Sequence, residues 1–193
     1  MTREALFSSA RSCLIVIDVQ SSFIAKLPEA SRAPLLGRIA WLCRVARALD
    51  IPTIVTAEEM AAEGPPVAEV MAALAPGQTV FDKHVFGLMG QPDISAAVTA
   101  TGRSEFVLVG LETDVCVCHS ALGLMDRGWR VAIPQDAVAT PPESQGPGLN
   151  RLEKAGAVLT STKGIYYEWV RDLPTHYGVI PALREHCPPD LTL

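Results

Sequence analysis

"EFVLVGLETDVCVCHSALGLMDRGWRVAIP", Glu105–Pro134, is the stretch from which the fold is read. It opens with a short apolar run rich in valine that stops at Gly110, and a run of that length and type reads as a buried strand. Residues 113–128 then recur at helical spacing, with Thr113 as the expected cap and Gly128 as the stop. "WRVAIP" follows as a second strand. Two strands joined by a helix form the unit of a parallel sheet, because parallel neighbours need a long crossover, and that crossover is right-handed in nearly every case.

The same alternation extends outward on both sides. "CLIVIDV" (13–19), "IPTIVTA" (51–57), "QTVFDK" (78–83) and "AVLTS" (157–161) read as further strands. Helical patterns cover 31–50, with Ser31 as a candidate cap, and also 66–77, 92–102, 149–156 and 165–173. The Pro/Gly-rich "ATPPESQGPG" (139–148) reads as a loop, and the tail "CPPDLTL" (187–193) is too broken for a long helix. Neither an internal repeat nor a low-complexity tract is present. The expectation is one α/β domain over residues 1–193: a three-layer, Rossmann-like fold with a six-stranded, mostly parallel sheet and helices on both faces.

Composition narrows the function classes. Of 193 residues, 49% are apolar and 19% charged, enough to close a core without disorder. The net charge of −5 comes without any Lys/Arg stripe, so the electrostatic footprint of a nucleic-acid binder is missing. No apolar run reaches membrane-spanning length. Glu4 and Arg11 interrupt the start of the chain, which does not read as a signal peptide. The five scattered cysteines suggest reduced thiols and a cytoplasmic protein acting on small molecules. No G-x-G-x-x-G follows the first strand, and neither a P-loop nor a G-x-S-x-G elbow occurs.

In sheets of this kind sites gather at the carboxyl ends of the strands. Asp18 ends the first strand, Lys83 the third, and Cys116 begins the helix after the fourth. A thiol titrates near ~8.5, and a helix N-terminus or a cation can lower that. A nearby carboxylate can take the thiol proton. Taken singly, each residue also has an ordinary reading: Cys116 as a small core residue, Asp18 as a turn cap, Lys83 as a solvated lysine. A metal pair of Cys116 and Cys118 fits poorly, since residues two apart on a helix diverge. The four histidines (84, 119, 176, 186) form no ligand pattern.

With those residues in view, a family resemblance emerges. Gly110, Thr113, Cys116, Val117, Ser120, Ala121, Gly128, Asp136 and Ala137 fall into a pattern that resembles the signature of the isochorismatase-like cysteine hydrolases. "LIVIDVQSSF" (14–23), "FDKHVFGLM" (81–89) and "RLEKAGAVLTSTKGIYYEWV" (151–170) resemble the family's opening, lysine-bearing and closing segments, the last in its metal-free branch.

The resemblance implies an Asp18–Lys83–Cys116 triad. The thiolate attacks an amide-type carbonyl, an amine or ammonia leaves, and water releases the acyl-enzyme. It also implies a cis peptide at Leu111–Glu112 that helps aim backbone N–H groups, including that of Cys116, at the oxyanion. Dimers or larger homo-oligomers are implied as well. Residues 51–82 lack the histidines that the family's metal-binding nicotinamidases use, so no metal or other cofactor is expected. Gln20, Phe23, Glu58, His84, Phe86 and Tyr166 are the expected pocket residues, with the acid Glu58 standing where relatives often carry an amide. Two alternatives remain open: an isochorismatase-type vinyl-ether hydrolase, and a non-catalytic binding protein that retains the triad.

Overall fold

The apolar runs become strands because their β-branched residues suit a buried pleated surface. The computed structural model describes residues 5–193. Strands β1 (Ser12–Ile17), β2 (Thr53–Glu58), β3 (Val80–Lys83), β4 (Glu105–Leu111), β5 (Arg130–Pro134), β6 (Val138–Ala139) and β7 (Val158–Thr160) form one sheet. Its order is β3-β2-β1-β4-β5-β7, and the two-residue β6 pairs with the end of β4. The pairings between these strands are parallel. The sheet therefore has seven strands where the sequence suggested six; the extra one is too short to leave a periodic signal.

Helices α1 (Ser21–Ala25), α2 (Glu29–Ala48), α3 (Met60–Glu63), α4 (Ala68–Met71), α5 (Pro92–Ala100), α6 (Cys118–Met125), α7 (Pro142–Ala155), α8 (Thr162–Val170) and α9 (Leu173–Leu183) fill the connections. None is long and apolar enough to cross a membrane. Strand alternation splits the core between the two faces. Leu14, Val16, Val107 and Val109 pack with Trp41 and Tyr166 on one side. Ile15, Ile17, Phe106 and Leu108 pack with Val117, Ala121 and Leu124 on the other.

Several local expectations are corrected. The stretch expected as a loop is largely helix α7: Pro142 occupies its first turn, where a missing N–H costs nothing. Helix α2 begins before Ser31, whose hydroxyl donates to the Pro28 carbonyl instead of capping. The helix expected over 66–77 is reduced to α4. The closing helix is two: α8 stops at Arg171, and α9 restarts on Asp172, whose carboxylate accepts the Thr175 N–H at 2.8 Å.

Gly110 sits where β1, β4 and β6 meet. Its φ is +120°, and a Cβ there would lie 2.0 Å from the Ile17 carbonyl oxygen. Gly110→Ala is therefore expected to cost roughly 3 kcal/mol or more. The effect would show as a lower urea midpoint at unchanged slope, and an unchanged midpoint would contradict this packing.

Candidate active site

Pairing in the sheet places the chemistry. Glu58 lies opposite Lys83 across β2–β3, and Thr56 lies opposite Ile17, one residue before Asp18. Thr56, Glu58 and Lys83 share the face that carries Cys116, since side chains alternate along each strand. Alternation alone would send Asp18 to the opposite face from Ile17. Instead Asp18 adopts φ +50°, leaving the strand pattern as the chain turns. Its carboxylate can then meet the other groups.

Lys83 is fully buried, and its ammonium organises the cluster. Nζ lies 2.9 Å from Asp18 Oδ2, 3.1 Å from Glu58 Oε2, 2.8 Å from the Val85 carbonyl oxygen and 3.6 Å from Cys116 Sγ. Four acceptors crowd a group with three protons. Asp18, 1% exposed, also accepts the Thr56 hydroxyl at Oδ1, 2.8 Å away. The Cys116 thiol donates to Glu58 Oε2 at 3.2 Å. Thus the structure brings Asp18, Lys83 and Cys116 together, as their places along the chain suggested, and adds Glu58 and Thr56 to the same cluster.

Asp18, Glu58 and Cys116 offer ligand atoms within 4.8 Å of one another, a spacing that suits a metal ion. The ammonium of Lys83 already contacts all three, so it stands where a bound cation would stand. The donor set therefore does not fit a metal while Lys83 is charged.

Burial, more than any neighbour, sets the protonation tendencies. It raises the pKa of Asp18 above its usual range, against the opposing charge and hydrogen bond of Lys83. Burial alone would depress Lys83. The charges of Asp18 and Cys116, with hydrogen bonds to Asp18 and Glu58, outweigh it and hold Lys83 above its usual value. Burial and then the Asp18 carboxylate push the Cys116 thiol up, more than Lys83 pulls it down. At rest the site is an ammonium beside a protonated thiol. The expected low-pKa thiol is not what the resting geometry provides, because the sulfur sits between two carboxylates as well as beside a cation.

Cys116 belongs to a single π-turn, Thr113–Val117, that precedes α6. Thr113 does not cap it; its hydroxyl donates to Gln145 on α7 at 2.9 Å. The Leu111–Glu112 peptide is cis. The Glu112 carboxylate pairs with Lys26 at 2.9 Å, away from the cluster.

A recess of about 210 Å³ meets the cluster at Glu58 and is lined by Glu58, Glu59, His84, Val85 and Phe86. Three expected pocket residues, Glu58, His84 and Phe86, line it. Gln20 does not: fully buried, it brackets Glu58 from behind, donating to the Glu58 and Gly64 carbonyls and accepting the Glu58 N–H at 2.8 Å. Phe23 packs on the core of the opposite face under the Lys26 ammonium. Tyr166 is core as well, against Trp41, with its hydroxyl 2.8 Å from His176 Nδ1. A larger hollow of about 410 Å³ beside Trp129 and Gly156 lies at the amino edge of the sheet and contains none of the clustered groups.

The family model of the isochorismatase domain matches residues 12–164. The chain belongs to the isochorismatase-domain family. Among its relatives, the secreted isochorismatase effector Isc1 of Phytophthora sojae is 29% identical over 185 residues, 91% of this chain and 85% of that protein. The probable hydrolase YcaC of Escherichia coli is 26% identical over 92% of this chain and 86% of its own length. The crystal structure of YcaC, described as an octameric hydrolase of unknown specificity, aligns with a TM-score of 0.90 at 23% identity, covering 98% of this chain and 94% of that one. N-carbamoylsarcosine amidase from Thermoplasma acidophilum aligns at 0.67 and 20% identity, over 79% of this chain and 96% of its own. At such identities the two structures speak to the fold alone.

Proposed function

We propose that this protein is a cysteine hydrolase that cleaves a C–N bond, in an amide, imide or carbamoyl group, of a small molecule. The observation that carries the reading is the Cys116 thiol held within hydrogen-bonding reach of an ammonium and of a carboxylate, Glu58, that lines an open recess. Cys116 supplies the nucleophile and, by the family pattern, Asp18 the general acid and base. Lys83 stabilises the charge that moves between them. The backbone N–H of Cys116, beside the Leu111–Glu112 peptide, faces the developing oxyanion. The presence of a thiol at this point favours this chemistry over vinyl-ether hydrolysis, which has no step for it. The fold shared with an amidase supports the reaction class. The octameric YcaC supports a homo-oligomer, and five unpaired cysteines support a reducing, cytoplasmic setting.

Selective alkylation tests the reading. Cys13, Cys43, Cys116 and Cys118 are buried and Cys187 is half-buried, so exposure alone predicts that iodoacetamide labels Cys187 first. The site chemistry predicts Cys116 first, mapped by peptide mass spectrometry. Labelling of Cys187 with Cys116 inert would overturn the proposal.

A further inference from the structure

We infer that Thr56 is a positioning residue for the acid–base step: its hydroxyl holds one oxygen of Asp18 and so presents the other, Oδ2, to the Cys116 proton. The inference rests on the cysteine-hydrolase reading and deepens it, by naming the reacting oxygen and the group that selects it.

Thr56 grips Asp18 twice. Its carbonyl accepts the Asp18 N–H at 3.1 Å, and its hydroxyl donates to Asp18 Oδ1 at 2.8 Å. Both residues are buried, so neither contact competes with bulk water. The first contact holds the backbone where Asp18 turns out of the strand pattern at φ +50°. The second fixes the roll of the carboxylate, a torsion that is otherwise broad in aspartate. With Oδ1 held, Oδ2 faces the Lys83 ammonium at 2.9 Å. Oδ2 is the less satisfied oxygen, because Lys83 directs its aligned protons to Glu58, the Val85 carbonyl and Cys116. A buried acceptor in that state gains most from receiving a proton.

The transfer balances within the cluster. At rest the thiol donates to Glu58 Oε2, and an Asp18 oxygen lies within 4.8 Å of the same sulfur. Rotation about the Cβ–Sγ bond turns the thiol hydrogen toward Asp18. The S–H bond breaks, an O–H bond forms at Oδ2, and the thiolate is left beside Lys83 with no change in net charge. The leaving nitrogen of the substrate later takes the proton from Oδ2. The titratable groups facing Asp18 are Lys83 from β3, Glu58 from β2 and Cys116 from the turn before α6. Burial raises the Asp18 pKa, and the Lys83 charge opposes it, with the Thr56 hydroxyl acting in the same direction as Lys83. Loss of that hydroxyl therefore strengthens Asp18 as a base and favours its protonated form.

The experiment measures the iodoacetamide rate at Cys116 against pH in the native protein, Thr56→Val and Thr56→Ser, with Cys187 in the same molecule as reference. The reagent reads only the outward transfer, from sulfur to Asp18. While both groups are protonated, the rate climbs about tenfold per pH unit. It levels off once Asp18 has lost its proton, because thiolate then forms only by internal transfer. Thr56→Val keeps the branched shape but removes the donor. We expect native protein and Thr56→Val to coincide near pH 5, and the variant to level off later, reaching roughly tenfold faster labelling near pH 8. Thr56→Ser should follow the native profile throughout. Thr56→Ala carries the same expectation as Thr56→Val should the latter not fold. Curves for Thr56→Val that coincide with the native ones, or differ by one constant factor at every pH, would overturn the inference. The first is the result if Glu58 takes the proton, the second if Thr56 only packs. So would a Thr56→Ser profile like that of Thr56→Val. If Cys116 does not label in the native protein, the hydrolase reading falls and this inference with it; in the other cases this inference falls alone.

Discussion

Cys116→Ala is expected to lower kcat/KM for amide hydrolysis by roughly 10⁴-fold or more, because no other group in the cluster can form the acyl bond. Asp18, Glu58 and Lys83 would still bind one another, so substrate affinity and fold should change far less than turnover. The residue is small and packed with Val117 and Ala121 in the core, so loss of one sulfur should cost about 1 kcal/mol of stability, seen as a small fall in Tm. Cys116→Ser should be nearly as inactive, since the hydroxyl gives up its proton far less readily. The measurement is steady-state hydrolysis across a panel of small amides, with circular dichroism as the folding control. Full activity in Cys116→Ala would mean chemistry run by the carboxylates and lysine alone, as in vinyl-ether hydrolysis.

Lys83→Met is the substitution with the largest expected effect on stability. It leaves Asp18 and Glu58, with oxygens within 4.8 Å of each other, without their cation. Breaking a buried ion pair in this way costs about 3–5 kcal/mol. The penalty depends on pH, and its sign is fixed by burial. Asp18 is already held above its ordinary value near 3.8 by burial, and Lys83 is the main opposing influence. Without Lys83 the folded state retains a proton on Asp18 that the unfolded chain releases. Stability then falls as pH rises from the unfolded pKa through the raised folded one. Urea unfolding should therefore show the variant much weaker than the native protein at pH 8 and closer to it near pH 5. An equal deficit at both values would show that packing, not charge, dominates at this position.

The sequence carried the frame of the fold because the central strands β1, β2 and β4 are compact runs rich in Ile and Val and the longer crossovers are periodic. It carried the three clustered residues because Asp18, Lys83 and Cys116 sit at strand ends that any parallel sheet gathers on one edge. Glu58 was legible as a pocket residue but not as the partner of the thiol, since that depends on the β2–β3 register. The one available signal was the Thr56-x-Glu58 alternation, which puts both side chains on one face of β2. The turn at Asp18 was hidden, because a positive φ at aspartate leaves no mark in hydrophobic pattern. Tyr166 misled for a plain reason: an aromatic in a closing segment suits a pocket and a core equally, and packing against Trp41 decided it. Thr113 looked like a cap, but α7, unrecognised behind its prolines, offered Gln145 as a competing partner.

The central claim is that Cys116 forms the covalent bond to substrate. Intact-protein mass spectrometry after brief exposure to a panel of small amides, quenched in acid, tests it most directly. The account predicts a transient mass gain equal to the acyl group, mapped to Cys116 and missing in Cys116→Ala. Turnover of an amide with no adduct on Cys116 at any quench time, or an adduct on another residue with Cys116 free, would contradict it.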